Sequence, residues 1–246
     1  MTQTATPKLR VATYNVHGCV GIDGQRSESR IAEVIASTAV DVIGLQEVDA
    51  FRARSAGVDQ AALIAAKLGW QHFFHPAMRS ADEQYGNAII SRYPLTLKRA
   101  IELPGNGTWY CRETRVAIWC EAETELGPVQ IIDTHFSLGR AERLQQAQLL
   151  ATEIVPDEPL ILMGDFNSLP ASRVIRLLAR SLRDARSVVA DGRLHRTFPT
   201  RLPAVAVDHI FSSHALQPLS LIAHRTPLAR TASDHFPLVA EFTHDA

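Results

Sequence analysis

Apolar and polar positions follow two different periods along this chain. Apolar runs of strand length occur at Leu9 to Asn15, Asp41 to Glu47, His72 to His75, Ala88 to Ser91 and Thr114 to Trp119. Further runs occur at Val129 to Thr134, Leu160 to Met163, His209 to Ser212, Leu219 to Ala223 and Leu238 to Phe242. Between some of them the spacing lengthens to that of a helix. Ile31, Val34, Ile35 and Thr38 share one helical face, and Asp59 is placed to cap a helix that ends at Gly69. Leu144, Ala147, Ala151 and Ile154 form a stripe within residues 141–154; Val174, Leu177, Leu178 and Leu182 form another after Pro170. Turn signals at Tyr93-Pro94, Pro104-Gly105-Asn106-Gly107 and Gly127-Pro128 separate these elements. Strands outnumber helices without strict alternation, which predicts an α/β sandwich with mixed sheets rather than a barrel of βαβ units. No internal repeat or low-complexity linker divides the 246 residues. A single domain over 8–246 is therefore expected, after a frayed tail at 1–7.

Several of these runs end in polar side chains. Leu160-Ile161-Leu162-Met163 leads into Gly164-Asp165-Phe166-Asn167-Ser168. A buried strand there would supply a rigid mount, and the glycine would let a carboxylate and an amide emerge together. Val42 to Glu47 ends in a carboxylate, Ile131 to His135 in an imidazole, and Ser233-Asp234-His235 precedes the last apolar run. Polar groups at the ends of buried strands imply a shared rim. Glu47, Asp165 and Asp234 are hard oxygen ligands, and Asn15 and Asn167 are neutral oxygen ligands or donors. That set suits Mg²⁺, with Mn²⁺ as a substitute. Zinc fits less well, because the histidines lack tight ligand spacing and the cysteines do not cluster. His135 and His235 can move protons near neutral pH. Phosphoester hydrolysis needs these parts together: charge neutralisation, an oriented water and a proton for the leaving oxygen. Each residue alone has a bland role, as a surface ion-pair partner, a turn cap or a core histidine. Only their combination is chemically specific.

Composition narrows the partners. The chain is 46% hydrophobic and 21% charged with a formal net charge of -1, so it has no bulk attraction to nucleic acid or to an anionic membrane. The charge is unevenly spread. Arg173, Arg176, Arg180, Arg183, Arg186, Arg193, Arg196 and Arg201 face only Asp184 and Asp191 in that stretch. It reads either as a solvated helix face with a loop or as a local anion-binding wall beside the site. Cys19, Cys111 and Cys120 are odd in number and lack CxxC spacing, which predicts reduced thiols rather than disulfides. Residues 1–8 lack the apolar segment of a signal peptide, and no stretch approaches transmembrane length. A cytoplasmic location is expected.

The ordered set Thr13-Tyr14-Asn15-Val16-His17-Gly18, Leu45-Gln46-Glu47-Val48, Gly86-Asn87-Ala88-Ile89-Ile90-Ser91, Glu113-Thr114-Arg115, Thr134-His135-Phe136, Gly164-Asp165-Phe166-Asn167, Asp208-His209-Ile210-Phe211 and Ser233-Asp234-His235-Phe236-Pro237 resembles the endonuclease/exonuclease/phosphatase superfamily. The match covers roughly residues 8–242. It implies a DNase I-like fold, a four-layer αββα sandwich of two mixed β-sheets packed face to face with helices outside and the site at one rim. It also implies that Glu47 is the principal Mg²⁺ ligand, with Asn15 and Asp234 near the metal or its waters. Asp165 and Asn167 would orient the water and the scissile phosphate, Asp208 would hold the His235 imidazole, and His135 would contact a phosphate oxygen. Either Asp165 or His235 would take the proton of the water. Asn87 would brace the site from behind. Glu113 and Arg115, two apart on one strand face, could be a structural ion pair or part of the site. Arg52, Arg54 and Arg79 lie in loop-like segments from which they could reach substrate.

Abasic-site nucleases of this superfamily carry an aspartate where this chain has His17 and a tyrosine where it has His135, so abasic-site cleavage is disfavoured. The leading expectation is a Mg²⁺-dependent phosphoesterase acting on a small or lipid-derived phosphoester. A DNA or RNA nuclease is the alternative, motivated by the arginine-rich stretch, and a non-catalytic interaction module is a minor one. Substrate specificity is expected from loops around 18–28, 49–58, 76–85, 103–112 and 184–204.

Overall fold

A computed structural model describes residues 6–105, 113–155 and 157–245. Residues 1–5 of the expected tail, most of the 103–112 loop and Cys111 lie outside the described residues. In chain order the elements are β1 (Leu9–Asn15), α1 (Glu28–Thr38), β2 (Val42–Ala50), α2 (Gln60–Leu68), β3 (Gln71–Ser80), β4 (Glu83–Ser91), β5 (Leu95–Leu103), β6 (Arg115–Thr124), β7 (Gly127–His135), α3 (Arg140–Glu153), β8 (Leu160–Asp165), α4 (Arg173–Leu178), β9 (Arg183–Asp184), α5 (Ala185–Val189), β10 (Asp208–Ser212), β11 (Leu216–Ala223), α6 (Pro227–Ala232) and β12 (Leu238–His244).

The strands form two six-stranded sheets, ordered β11-β12-β1-β2-β4-β3 and β5-β6-β7-β8-β10-β9. Both carry the same pattern of directions: one parallel pair (β1 with β2, β7 with β8) flanked on each side by antiparallel neighbours. Helix α1 makes the first parallel crossover and α3 the second, as parallel strands require.

Alternation along each strand sorts side chains between two faces. Leu9 and Val11 of β1, Val129 and Ile131 of β7, and Ile161 and Met163 of β8 meet in the core between the sheets. Ala12 and Tyr14 instead point outward, into a core shared with Ile31 and Ile35 of α1, Ile64 of α2 and Ala229 of α6. On the other outer face, Leu160 and Leu162 pack with Ala147 and Leu150 of α3 and Val174 of α4. These three apolar layers make the αββα sandwich.

The expected α2 is present as read. The Asp59 side chain accepts from the Ala62 N–H, and Gly69 ends the helix in the left-handed region at φ 70°. Other expectations need correction. Strand β5 was not foreseen: it lies at a sheet edge with mostly exposed residues between Leu95 and Leu103, so its sequence lacks a clean apolar alternation. Segment 76–85 is not a loop but the turn and inner ends of the β3–β4 hairpin. Arg79 is accordingly a strand residue. Helix α4 stops at Leu178, and Leu182 reaches the core from beyond the helix. The short helices α5 and α6 carry too few turns to leave a periodic signal.

Candidate functional site

The inner faces of the central strands grade from apolar to polar toward one end. On β1 the sequence of inward positions is Leu9, Val11, Thr13, Asn15; on β7 it is Val129, Ile131, Asp133, His135; on β8 it is Ile161, Met163, Asp165. The period of two thus lifts a polar side chain from each strand to the same rim of the inter-sheet seam. That rim lies at the C-terminal ends of both parallel pairs.

One step below it, the buried Asp133 carboxyl accepts from Gln46 Nε2 at 2.6 Å, and the same amide donates to Thr13 Oγ1 at 2.9 Å. Burial pushes the Asp133 pKa well above the usual carboxylate range, against the opposing hydrogen bond from Gln46. Gly44 makes the approach possible, because a Cβ there would sit 2.1 Å from Asp133 Oδ1.

Glu47 is turned toward the rim by a break in strand register. The β2–β4 pairing shifts between Leu45 and Val48, and Glu47 adopts φ 61°. Its Oε1 accepts from Asn15 Nδ2 at 2.9 Å, and the same nitrogen donates to Asp165 Oδ2 at 3.2 Å. Asn15 thereby ties the two carboxylates together as a donor, while its Oδ1 accepts from the His17 N–H at 3.1 Å.

Asp165 is buried at the end of β8, where Gly164 brings the chain against Thr134. Burial first, and the charge of Asp208 second, raise its pKa to about 7 despite the His235 ring and the Asn167 and Asn15 donors. Asn167, at φ 47°, donates through Nδ2 to the Phe136 carbonyl at 2.9 Å, and its backbone N–H caps Asp165 Oδ1. Asp208 Oδ2 accepts from His235 Nδ1 at 2.9 Å and from the Thr197 hydroxyl. Burial opposes charge on His235, but Asp208, Asp165 and Asp234 outweigh it and raise its pKa to about 10. The ring is therefore an imidazolium near neutral pH. Its Nε2 lies 3.7 Å from Asp165 Oδ2.

His135 has the opposite character. Burial, then Arg115 and His235, hold its pKa well below the usual imidazole range. Arg115 Nη1 lies 3.0 Å from its Nδ1. A guanidinium can only donate, and so can an amide nitrogen, so the neutral ring meets a donor from Arg115 at Nδ1 and another, Asn167 Nδ2 at 3.2 Å, at Nε2. His135 Nε2 lies 3.6 Å from Asp165 Oδ2. Glu113 and Arg115 form an ion pair of 2.9 Å, and both also line the cleft. Asn87 is buried behind them and satisfies more groups with its oxygen toward the His135 N–H, 3.2 Å away.

Together Asn15, Glu47, His135, Asp165, Asn167, Asp234 and His235 line one cleft of about 630 Å³. Asp208 and Asn87 support it from beneath. Other lining residues were not singled out in the sequence. Tyr85 stands under the Arg52 and Arg54 guanidiniums, 5.7 and 5.4 Å from its ring centroid, and the buried Asp49 carboxylate holds both arginines. Phe198 packs 4.7 Å from the His235 ring. Thr197 and Phe198 sit in an irregular segment, which leaves no periodic mark. None of the eight arginines between 173 and 201 lines this cleft. Arg183 pairs with Asp245, Arg186 turns inward to His209, and Arg201 donates to the Ile22 carbonyl.

A hard divalent cation fits this donor set. Asp165, Asp208 and His235 place ligand atoms within 4.8 Å of one another. Of that trio Asp165 and His235 line the cleft, while Asp208 lies beneath with Oδ2 on His235 and Thr197 and its buried Oδ1 without a hydrogen-bond partner among the described residues. Glu47 adjoins Asp165 through Asn15. Glu47, which lacks an ion-pair partner among the described residues, and Asp165, with its raised pKa, form an oxygen site suited to a hard divalent cation.

A family model described as "Endonuclease/Exonuclease/phosphatase family" matches residues 12–235. Uncharacterized protein YbhP of Escherichia coli (strain K12) is 27% identical over 256 residues, covering 97% of this chain and 98% of that protein. An endonuclease/exonuclease/phosphatase from Beutenbergia cavernae DSM 12333 superposes with a TM-score of 0.82 at 22% identity, covering 98% of this chain and 72% of the other. The mannosyl-6-phosphatase Bt3783 of Bacteroides thetaiotaomicron VPI-5482 superposes with a TM-score of 0.74 at 19% identity, covering 96% and 99%. No described helix is long and apolar enough to cross a membrane.

Proposed function

The chain belongs to the endonuclease/exonuclease/phosphatase family, and on that premise we propose that it is a divalent-metal-dependent hydrolase of a small or lipid-derived phosphoester. The observation that carries this reading is the convergence of Glu47, Asp165, His135 and the Asp208–His235 pair on one cleft. Glu47 would be the principal ligand of the cation, with Asp234 and Asn15 beside its waters. When bound, the cation supplies charge neutralisation at the phosphoryl group and a more acidic water.

The protein side chains divide the remaining work. His135 contacts a non-bridging phosphate oxygen, its ring held in place by Arg115 at Nδ1. The Asn167 amide orients the same group. Asp165 accepts from the attacking water, and its raised pKa makes it a stronger base than an ordinary carboxylate. His235 stabilises charge on the phosphoryl group and its leaving oxygen as a cation held by Asp208. A neutral His135 and a charged His235 in the same cleft separate the two imidazole roles.

Of the eight arginines between 173 and 201 none lines the cleft and only Arg173 and Arg176 line the groove beside it, which weighs against the nuclease reading. A fold shared with a mannosyl-6-phosphatase is compatible with a small phosphorylated substrate. A panel of phosphodiesters and phosphomonoesters, assayed with Mg²⁺ and with chelator, tests the proposal. Turnover should require the cation and fall at least ~10²-fold in a folded Glu47→Ala variant. No turnover on any ester, or undiminished turnover in chelator, would refute it.

A further inference from the structure

Beside the cleft runs a second groove, of about 720 Å³, between the N-terminal turn of α3 and the segment leading into α4. Asn167 lines both, so the groove opens directly onto the site where the phosphate is placed. Its charge is one-sided. Arg140, Arg143, Arg173 and Arg176 line it, and no acidic residue does. Among the described residues, Arg140 and Arg173 have no hydrogen-bond or ion-pair partner, and both are exposed. Helix α3 is N-capped by Gly139, which offers no side-chain acceptor to its first turn.

A separate observation marks the floor. Ser168 is 3% exposed, yet its hydroxyl makes no hydrogen bond within the protein. A buried hydroxyl without a partner is costly, and such groups are kept where something outside the chain completes them. The walls between the charges are apolar, with Leu144, Ala171 and the exposed Leu169. The Arg140 and Arg173 guanidinium groups and an orphaned hydroxyl are together a donor set for a dianion, with room for a short carbon skeleton between it and the reacting phosphate.

We propose that this groove is a second phosphate subsite, and that the substrate carries, besides the scissile phosphoester, another phosphate that docks between Arg140, Arg173 and Ser168. The inference rests on the phosphoesterase reading and names the class of substrate within it. It also gives the arginine-rich stretch a local role, through Arg173 and Arg176 alone.

The test compares binding of a homologous series of alkanediol bisphosphates with the matched alkyl monophosphates, by titration calorimetry in the presence of chelator. Wild-type protein should bind the best bisphosphate at least ~10-fold more tightly than its monophosphate, a ratio worth about 1.4 kcal/mol. In an Arg140→Gln/Arg173→Gln variant that ratio should collapse toward one. A Ser168→Ala variant should lower it as well while unfolding at no lower temperature than wild type, because the substitution removes an unsatisfied group. Phosphatidylcholine vesicles doped with a diphosphorylated lipid form a second arm; binding tighter than to the soluble bisphosphate would name a lipid headgroup as the source. A ratio of one in wild type, or a ratio unchanged in the arginine variant, would overturn the subsite. So would oligonucleotide binding of steep salt dependence lost in the same variant, which would transfer the groove to a nucleic-acid backbone. Because binding is read without metal or turnover, a failure of the groove is distinct from a failure of catalysis, which the ester panel reads separately.

Discussion

His235 and His135 show how two identical side chains acquire opposite charge within one cleft. Burial disfavours the cation on both, and their hydrogen-bond partners at Nδ1 decide the outcome: a carboxylate for His235, a guanidinium for His135. The His235 pair has a pH consequence in the metal-free protein. Its folded pKa of about 10 lies above the usual imidazole value, so the native state holds a proton that the unfolded chain releases. The stabilisation is complete below about pH 6.5 and is lost as pH rises toward 10. Asp165, raised to about 7, adds a slope of the same sign at lower pH. An Asp208→Asn variant should flatten the alkaline fall of Tm, shift the His235 ring resonances to a lower titration midpoint, and reduce kcat by about 10²-fold. An alkaline slope identical to wild type would show that Asp208 does not hold the proton. The cleft residues Asn15, Glu47, His135 and Asp165 were legible in the sequence because each ends an apolar run, and Asp234 and His235 because they precede one. Thr197, Tyr85 and Asp49 were not, since their importance comes from contacts with residues far along the chain.

At the scale of elements, the site depends on strand ends held at close approach. Gly164 lies where a Cβ would sit 1.9 Å from the Thr134 carbonyl oxygen, in the β7–β8 parallel pair that carries His135 and Asp165. A Gly164→Ala substitution must separate these strands or displace Asp165, and should cost about 3 kcal/mol or more in chemical unfolding. Wild-type stability in that variant would mean that the strands are free to give at this point. Sequence periodicity located the interior strands and α2, where alternation or capping is locally encoded. It missed β5, whose pairing with β6 rather than its own composition makes it a strand, and it overran α4, where Leu182 continues an apolar pattern after the helix has ended. The register shift that turns Glu47 to the rim is likewise a property of the β2–β4 pairing, invisible along β2 alone.

Across the whole molecule, the two sheets repeat one pattern of strand directions although no sequence repeat accompanies it. Each sheet brings the C-terminal end of a parallel pair to the same rim, Asn15 and Glu47 from one, His135 and Asp165 from the other. The site is thus a product of packing the sheets face to face, and neither sheet contains it alone. The sandwich followed from the count and pattern of strands together with the ordered motifs. The neighbouring groove did not, because it assembles from segments remote in sequence. The central claim is that a divalent cation binds where the two sheets meet. Its most direct measurement is anomalous diffraction from crystals soaked with Mn²⁺ and inorganic phosphate. A manganese peak in coordination contact with the Glu47 carboxylate, with phosphate between it and His135, is the predicted result. A fully occupied manganese site elsewhere on the surface, with the cleft between Glu47 and Asp165 empty, would contradict it.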